Sequence, residues 1–249
     1  MTITPIKTNP ITIEDHDLFA ILDKYLPKIK ECSVLAVTSK IVSICEGRGV
    51  KIGEKNKDDL IKQEAQYFIP RDQNPYHVTL TVTRNNLVAG AGIDESNGNG
   101  YYILWPGNAF ESANSIRDYL TARFNLKQVG VIITDSRTTP LRYGVTAMAL
   151  SYSGFLPLKD YIGKPDIFGR PFQFEKLNII DCLASAATVV MGEGSEQTPL
   201  AAITDLPFVE FQDRNPTPEE IESIKINLDT DLYGPLLKNA PWQKGENEA

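Results

Sequence analysis

Three acidic segments carry the side chains that chemistry on a phosphate would need. The first is AGIDESN at 91–97, bracketed by Gly90 and Gly98. Its small residues let backbone approach a ligand, and Asp94, Ser96 and Asn97 offer oxygen ligands or donors. The same residue types also build ordinary surface turns. The second is GVIITDS at 130–136, where Asp135 closes an apolar run and Ser136 adds a hydroxyl. An acid at the end of a buried strand is a recurrent way for a sheet to present a metal ligand to a phosphate. The competing reading has Asp135 capping a following helix. Arg137 and Arg142 lie just downstream, placed to pair with phosphate or carboxylate oxygens or to remain solvated. The third is MGEGSEQ at 191–197, in which Gly192 and Gly194 free the backbone around Glu193. Read blandly, it is a glycine helix stop followed by a polar loop.

Composition limits what these acids can do. With 2 His and 3 Cys in 249 residues, and no CxxC spacing, neither a thiolate zinc site nor a disulfide framework is expected. A metal site must then rest on oxygen ligands or a single imidazole, and an oxygen-only site suits magnesium, manganese or calcium. The net charge of −7 comes without a Lys/Arg block, so nucleic acid is not an expected partner. A small anion is compatible with that balance, because local basic groups or a bound cation outweigh the global sign. No stretch reaches the roughly 20 apolar residues of a membrane span. The opening MTITPIKTNP lacks a signal-type apolar core. The expected location is the cytoplasm, with no membrane association.

The elements that must position these loops can be read from periodicity. Leu18, Ile21, Leu22, Tyr25, Leu26 and Ile29 share a helical face within 15–29, which Pro27 ends or kinks. Residues 34–43 read as a buried strand running into a polar segment, and a weak helix surrounds Leu60 and Ile61. Residues 78–83 alternate with period two, and Asn85 and Asn86 mark a hairpin turn. Asn108 with Glu111 opens a helix continued by Ala113, Ile116, Leu120 and Phe124. Residues 129–134 form a short buried strand. Leu177, Ile180, Leu183, Ala187 and Val190 define a helix over 177–191, stopped by Gly192. Thr217, Pro218 and Glu220 start a last helix with a capping box, and the tail after about Gln243 is expected to fray. Strands and helices are mixed without strict alternation. The expected class is α+β, with mixed, largely antiparallel sheets and packed helices.

Taken in order, the segments resemble the coenzyme F-420:L-glutamate ligase family. The matching stretches are Thr38, Ser39 and Lys40 through Glu46, Gly47 and Arg48, then AGIDESN, GVIITDS and Arg142-Tyr143-Gly144. They continue with KDYIG at 159–163, DIFGR at 166–170 and MGEG at 191–194. The likeness spans roughly residues 8–205 and is nearest a branch labelled as folate-metabolism γ-glutamate ligases. A ligase-like domain over 1–205 and a C-terminal extension over 206–249 are therefore expected.

The resemblance implies a GTP-dependent ligase, with ATP the other nucleotide to consider, that forms a γ-glutamyl amide. Its acceptor would carry a carboxylate: a deazaflavin coenzyme F-420 precursor, a folate-like molecule or another. It implies manganese or magnesium, two ions per site, held by Asp94, Asp135, Ser136 and Glu193, with the three acids as the catalytic set. Nucleotide contacts map to Pro10, Ile11, Thr12, Ser39, Lys40 and Asn97, and to Met191, Gly192, Gly194, Ser195, Glu196, Gln197 and Thr198. Arg137 and Arg142 are the expected substrate contacts, and a homodimer with the site near its interface is implied. The sequence departs from the family at Ile44, where a nucleotide-contacting lysine is common, and at Thr138 and Thr139, where a Gly-Arg pair is usual. The stretch between Arg48 and Ala91 is also shorter. The alternative is a homologue that binds nucleotide or metabolite without catalysis, and a third reading makes each acidic loop a plain turn.

Overall fold

The computed structural model describes residues 1–247. At its centre lies a five-stranded sheet in the order Thr2–Ile6, Leu200–Thr204, Ser33–Thr38, Val129–Thr138 and Val145–Ser153. Only the pairing of Ser33–Thr38 with Val129–Thr138 is parallel; the other neighbours run antiparallel. The class is α+β, as expected.

The central strands are apolar almost throughout because both faces are covered. Leu35, Val37, Val131 and Ile133 pack toward the helices Leu18–Tyr25, Ser39–Cys45 and Ala109–Phe124. Their sequence neighbours Val34, Ala36 and Ile132 point the other way, onto Ile180, Leu183, Ala184 and Ala187 of the helix Ile179–Met191. Full burial of Ala184 and Ala187 lets this helix sit close on the sheet.

Smaller antiparallel units surround the sheet. One has the order Gln243–Lys244, Tyr67–Ile69, Leu80–Thr83, Asn86–Ala89. Two ribbons pair Gly49–Lys51 with Tyr101–Ile103, and Leu158–Asp160 with Lys176–Asn178. Among the described residues no helix is long and apolar enough to cross a membrane, and Cys32, Cys45 and Cys182 are free thiols.

The caps behave as read. Asn108 accepts from the Glu111 N–H at 3.2 Å, and Thr217 with Glu220 closes a full capping box. Other expectations need correction. The apolar run from residue 34 ends as a strand at Thr38, and Ser39–Cys45 is a helix. The hairpin turn sits at Arg84 and Asn85, both with positive φ (48° and 62°), one residue before the expected pair. Two positive φ values suit the right-handed twist of the flanking strands. The helix before Gly192 begins at Ile179, and Leu177 belongs to a ribbon strand. The tail does not fray where expected. Gln243–Lys244 adds to the strand Tyr67–Ile69, and the N–H groups of Gly245 and Glu246 donate to Gln66 and Lys62. Glu248 and Ala249 lie outside the described residues.

Candidate functional site

Asp135 is carried on a strand. Val129–Thr138 runs three residues past it, which rules out the helix-capping alternative. A register shift against the neighbouring strand falls between Ile133 and Thr134. Such a bulge re-aims the side chains that follow it. The Asp135 carboxylate accepts from the indole N–H of Trp105 and, at 2.9 Å, from the Ser136 backbone N–H. Burial pushes its carboxyl up to about 6; the two N–H donors oppose the shift, and the charge of Asp94 adds to it.

Asp94 follows a tight turn. Ala91 is buried with φ 54°, its N–H bonded to the Thr81 hydroxyl at 3.0 Å. Asp94 and Ile103 exchange backbone bonds at 2.9 and 2.8 Å, which fixes the loop beside Tyr101–Ile103. The Asp94 side chain receives the Ser96 N–H at 2.7 Å and the Lys40 ammonium at 2.6 Å. Burial alone would raise the Asp94 carboxyl, but Lys40 and the Ser96 donors outweigh it and hold it below the usual carboxylate range. Lys40 also donates to the Ser96 carbonyl at 2.8 Å.

Glu193 sits on the exposed loop after Ile179–Met191, where Gly192 stops the helix with φ 78°. The Ser136 hydroxyl lies 2.7 and 2.8 Å from its two carboxylate oxygens. The Asn97 amide donates to the Gly194 carbonyl at 2.9 Å. Glu196 folds back to accept the Gly194 N–H at 2.8 Å, and Thr198 bonds the Met191 carbonyl. Gln197, with φ 59°, accepts the Thr8 N–H at 2.8 Å. All three acidic segments therefore meet, through Asn97 to Gly194 and Ser136 to Glu193, with Asp94 close enough to perturb Asp135.

The other expected positions are placed as follows. Lys40 bonds Asp94 and Asn97 bonds Gly194, and Ser39 is buried at the start of its helix. Pro10 is exposed, Ile11 packs partly on the core, and the Thr12 N–H donates to Asp15 at 2.8 Å. Gly192, Gly194, Ser195, Glu196 and Gln197 are exposed, whereas the Met191 side chain is in the core, leaving its backbone as its contact. Arg137 is already paired with Asp181 at 3.1 Å. Arg142 lies on an exposed hairpin tip between the fully exposed Leu141 and Tyr143. Ile44, the departure from the family lysine, is 3% exposed and part of the interior. Sequence reading missed Trp105. Nothing in its spacing announces a donor to Asp135; its only signal is a tryptophan just beyond the strand that pairs with the Asp94 loop.

The donor set is chemically suited to a hard divalent cation. It is all oxygen, and the direct partners of Asp135 are two N–H groups rather than a cationic side chain. The set is not closed around one point. Among the described residues no three Asp, Glu, His or Cys side chains stand close enough to hold an ion together. Asp94 is held by Lys40 and Glu193 by Ser136.

Comparison with known proteins identifies the family. The family profile described as F420-0:Gamma-glutamyl ligase matches residues 5–205. The coenzyme F420:L-glutamate ligase of Methanocaldococcus jannaschii is 33% identical over 204 residues, 79% of each chain. That of Methanococcus maripaludis (strain C7) is 33% identical over 203 residues, 81% of this chain and 80% of its own. That of Methanosarcina barkeri is 28% identical over 243 residues, 90% of this chain and 94% of its own. The acidic segments all fall inside the matched region, and the chain belongs to the F420-0:gamma-glutamyl ligase family.

Proposed function

We propose that the protein is a nucleotide- and divalent-metal-dependent γ-glutamyl ligase of the cytoplasm, joining L-glutamate to a carboxylate-bearing acceptor through an acyl phosphate. The observation that carries this reading is the meeting of the three acidic segments, with Asn97 bonded to Gly194, Ser136 to Glu193 and Lys40 to Asp94, and with Asp94 close enough to act on the charge of Asp135. The relatives' names specify coenzyme F420 and L-glutamate, so a deazaflavin acceptor is the first to test, with a folate-like one second. GTP is the first nucleotide to test and ATP the second.

Phosphoryl transfer asks a protein for positioning and charge neutralisation more than covalent chemistry. Asp94, Asp135, Ser136 and Glu193 would hold manganese or magnesium, which when bound offsets phosphate charge and aligns the displacement. Lys40 would exchange Asp94 for a phosphate oxygen. Asn97 and the 191–198 loop would orient the nucleotide with the Pro10–Thr12 segment, and Arg142, with Arg137 beside it, would meet the acceptor's carboxylate. The acceptor carboxylate attacks the terminal phosphorus and nucleoside diphosphate leaves. The glutamate amine, losing a proton, then displaces phosphate.

Leu141 and Tyr143, on the hairpin after the strand that carries Asp135, and Ile167, Phe168 and Phe174, between the ribbon strands Leu158–Asp160 and Lys176–Asn178, are exposed. Exposed apolar patches of this kind mark protein interfaces, which supports a homodimer. The assay supplies GTP or ATP, Mn2+, L-glutamate and a deazaflavin or folate-like acceptor. Nucleoside diphosphate release that requires every component is expected. Absence of both turnover and metal-dependent nucleotide binding would overturn the reading. The buried Ile44 favours a second reading, a homologue that binds nucleotide without joining anything; tight binding with no product would select it.

A further inference from the structure

Trp105 lies at the junction of the two segments that carry Asp94 and Asp135. Its ring is 3% exposed and packs with Val88 and Met148. Its N–H reaches the Asp135 Oδ2, while the Ser136 N–H takes Oδ1. Each carboxylate oxygen thus has one fixed donor and keeps lone-pair capacity for a further partner. The indole lies against Gly92, where an added Cβ would stand 2.1 Å from its Nε1 and Cε2. Gly92 is two residues before Asp94, and Trp105 is two residues after Ile103, the backbone partner of Asp94.

We propose that Trp105 is a positioning residue that sets the separation of the two carboxylates, its N–H orienting Asp135 and its ring seating the Asp94 loop through Gly92. This rests on the proposed reading that Asp135 holds a cation. An indole N–H suits the task. It donates only, cannot compete for the ion, and is held by a large ring that buried neighbours prevent from turning. Outer partners of this kind typically account for 10- to 100-fold in metal affinity.

The chain has 2 Trp, so Trp242→Phe leaves Trp105 as the sole reporter. Paramagnetic Mn2+, titrated into this variant without nucleotide, is expected to quench its emission saturably, whereas diamagnetic Mg2+ should give no such quench. By calorimetry, Trp105→Phe, which keeps an aromatic ring but lacks the N–H, should bind Mn2+ about tenfold more weakly than wild type. If Mn2+ binds the wild type but leaves Trp105 emission unchanged, or binds Trp105→Phe equally well, the positioning role is overturned while the cation site stands. If the wild type binds no Mn2+, the cation reading itself fails and takes this inference with it. The quenching arm retains Trp105, so it decides the matter even if Trp105→Phe does not fold.

Discussion

The site has two mechanical halves. Asp135 stands on a strand inside a five-stranded sheet, beside a buried indole, with its carboxylate gripped by two N–H donors. Glu193 stands on an exposed loop between two glycines and is tied to the sheet through one hydroxyl, that of Ser136. The difference separates two tasks. The strand half holds a charge in place at a cost in stability, whereas the loop half can follow a ligand at little cost. Asp94 lies between them, with its backbone fixed by Ile103 and its charge provisionally satisfied by Lys40.

The largest expected effect breaks the packing of the Asp94 loop on the strand half. Gly92 has φ +70°, and any Cβ there meets the Trp105 ring at 2.1 Å. Gly92→Val should cost about 4 kcal/mol in urea unfolding, combining overpacking with left-handed backbone strain. Next, Ile44→Lys restores the residue type common in the family at a site that is 3% exposed here. It should destabilise by about 3 kcal/mol rather than improve nucleotide binding, because a buried ammonium loses its hydration.

A smaller effect has the opposite sign. The Asp135 carboxyl is pushed up to about 6, above its unfolded value near 3.9. Its contribution is fully present below about pH 4 and is lost as pH rises through about 6, because the folded state binds the extra proton in that window. The metal-free protein should therefore lose on the order of 2 kcal/mol between pH 4 and pH 7 from this group. The full shift corresponds to somewhat more, discounted for partial solvent contact. Asp135→Asn should flatten that slope and stabilise the metal-free protein at pH 8, as read by thermal or urea unfolding. The smallest effect belongs to the loop half: Glu193→Gln should change stability by no more than about 0.5 kcal/mol. A large loss there would erase the distinction between the halves.

Much of this arrangement was legible in local residue patterns. Near-continuous apolar runs such as 129–134 announce a strand covered on both faces, and Asn108 or Thr217 with Glu220 announce helix starts through short-range capping geometry. The order of the acidic segments carried the resemblance to the ligase family. What escaped depended on long-range geometry. The bulge at Ile133 and Thr134 arises from pairing with a distant strand. The docking of 243–247 depends on an open edge at Tyr67–Ile69. Trp105 became visible as a partner of Asp135 only once residues 30 positions apart were brought together.

The most direct test of the central claim is calorimetric titration of Mn2+, with and without GTP, into wild type, Asp94→Asn, Asp135→Asn and Glu193→Gln. A shared cation site predicts that each substitution weakens Mn2+ binding at least about tenfold, as expected when a coordinating carboxylate loses its charge. It also predicts that nucleotide affinity falls with it. Wild-type Mn2+ affinity in any one of the three variants would contradict a site built from all of them.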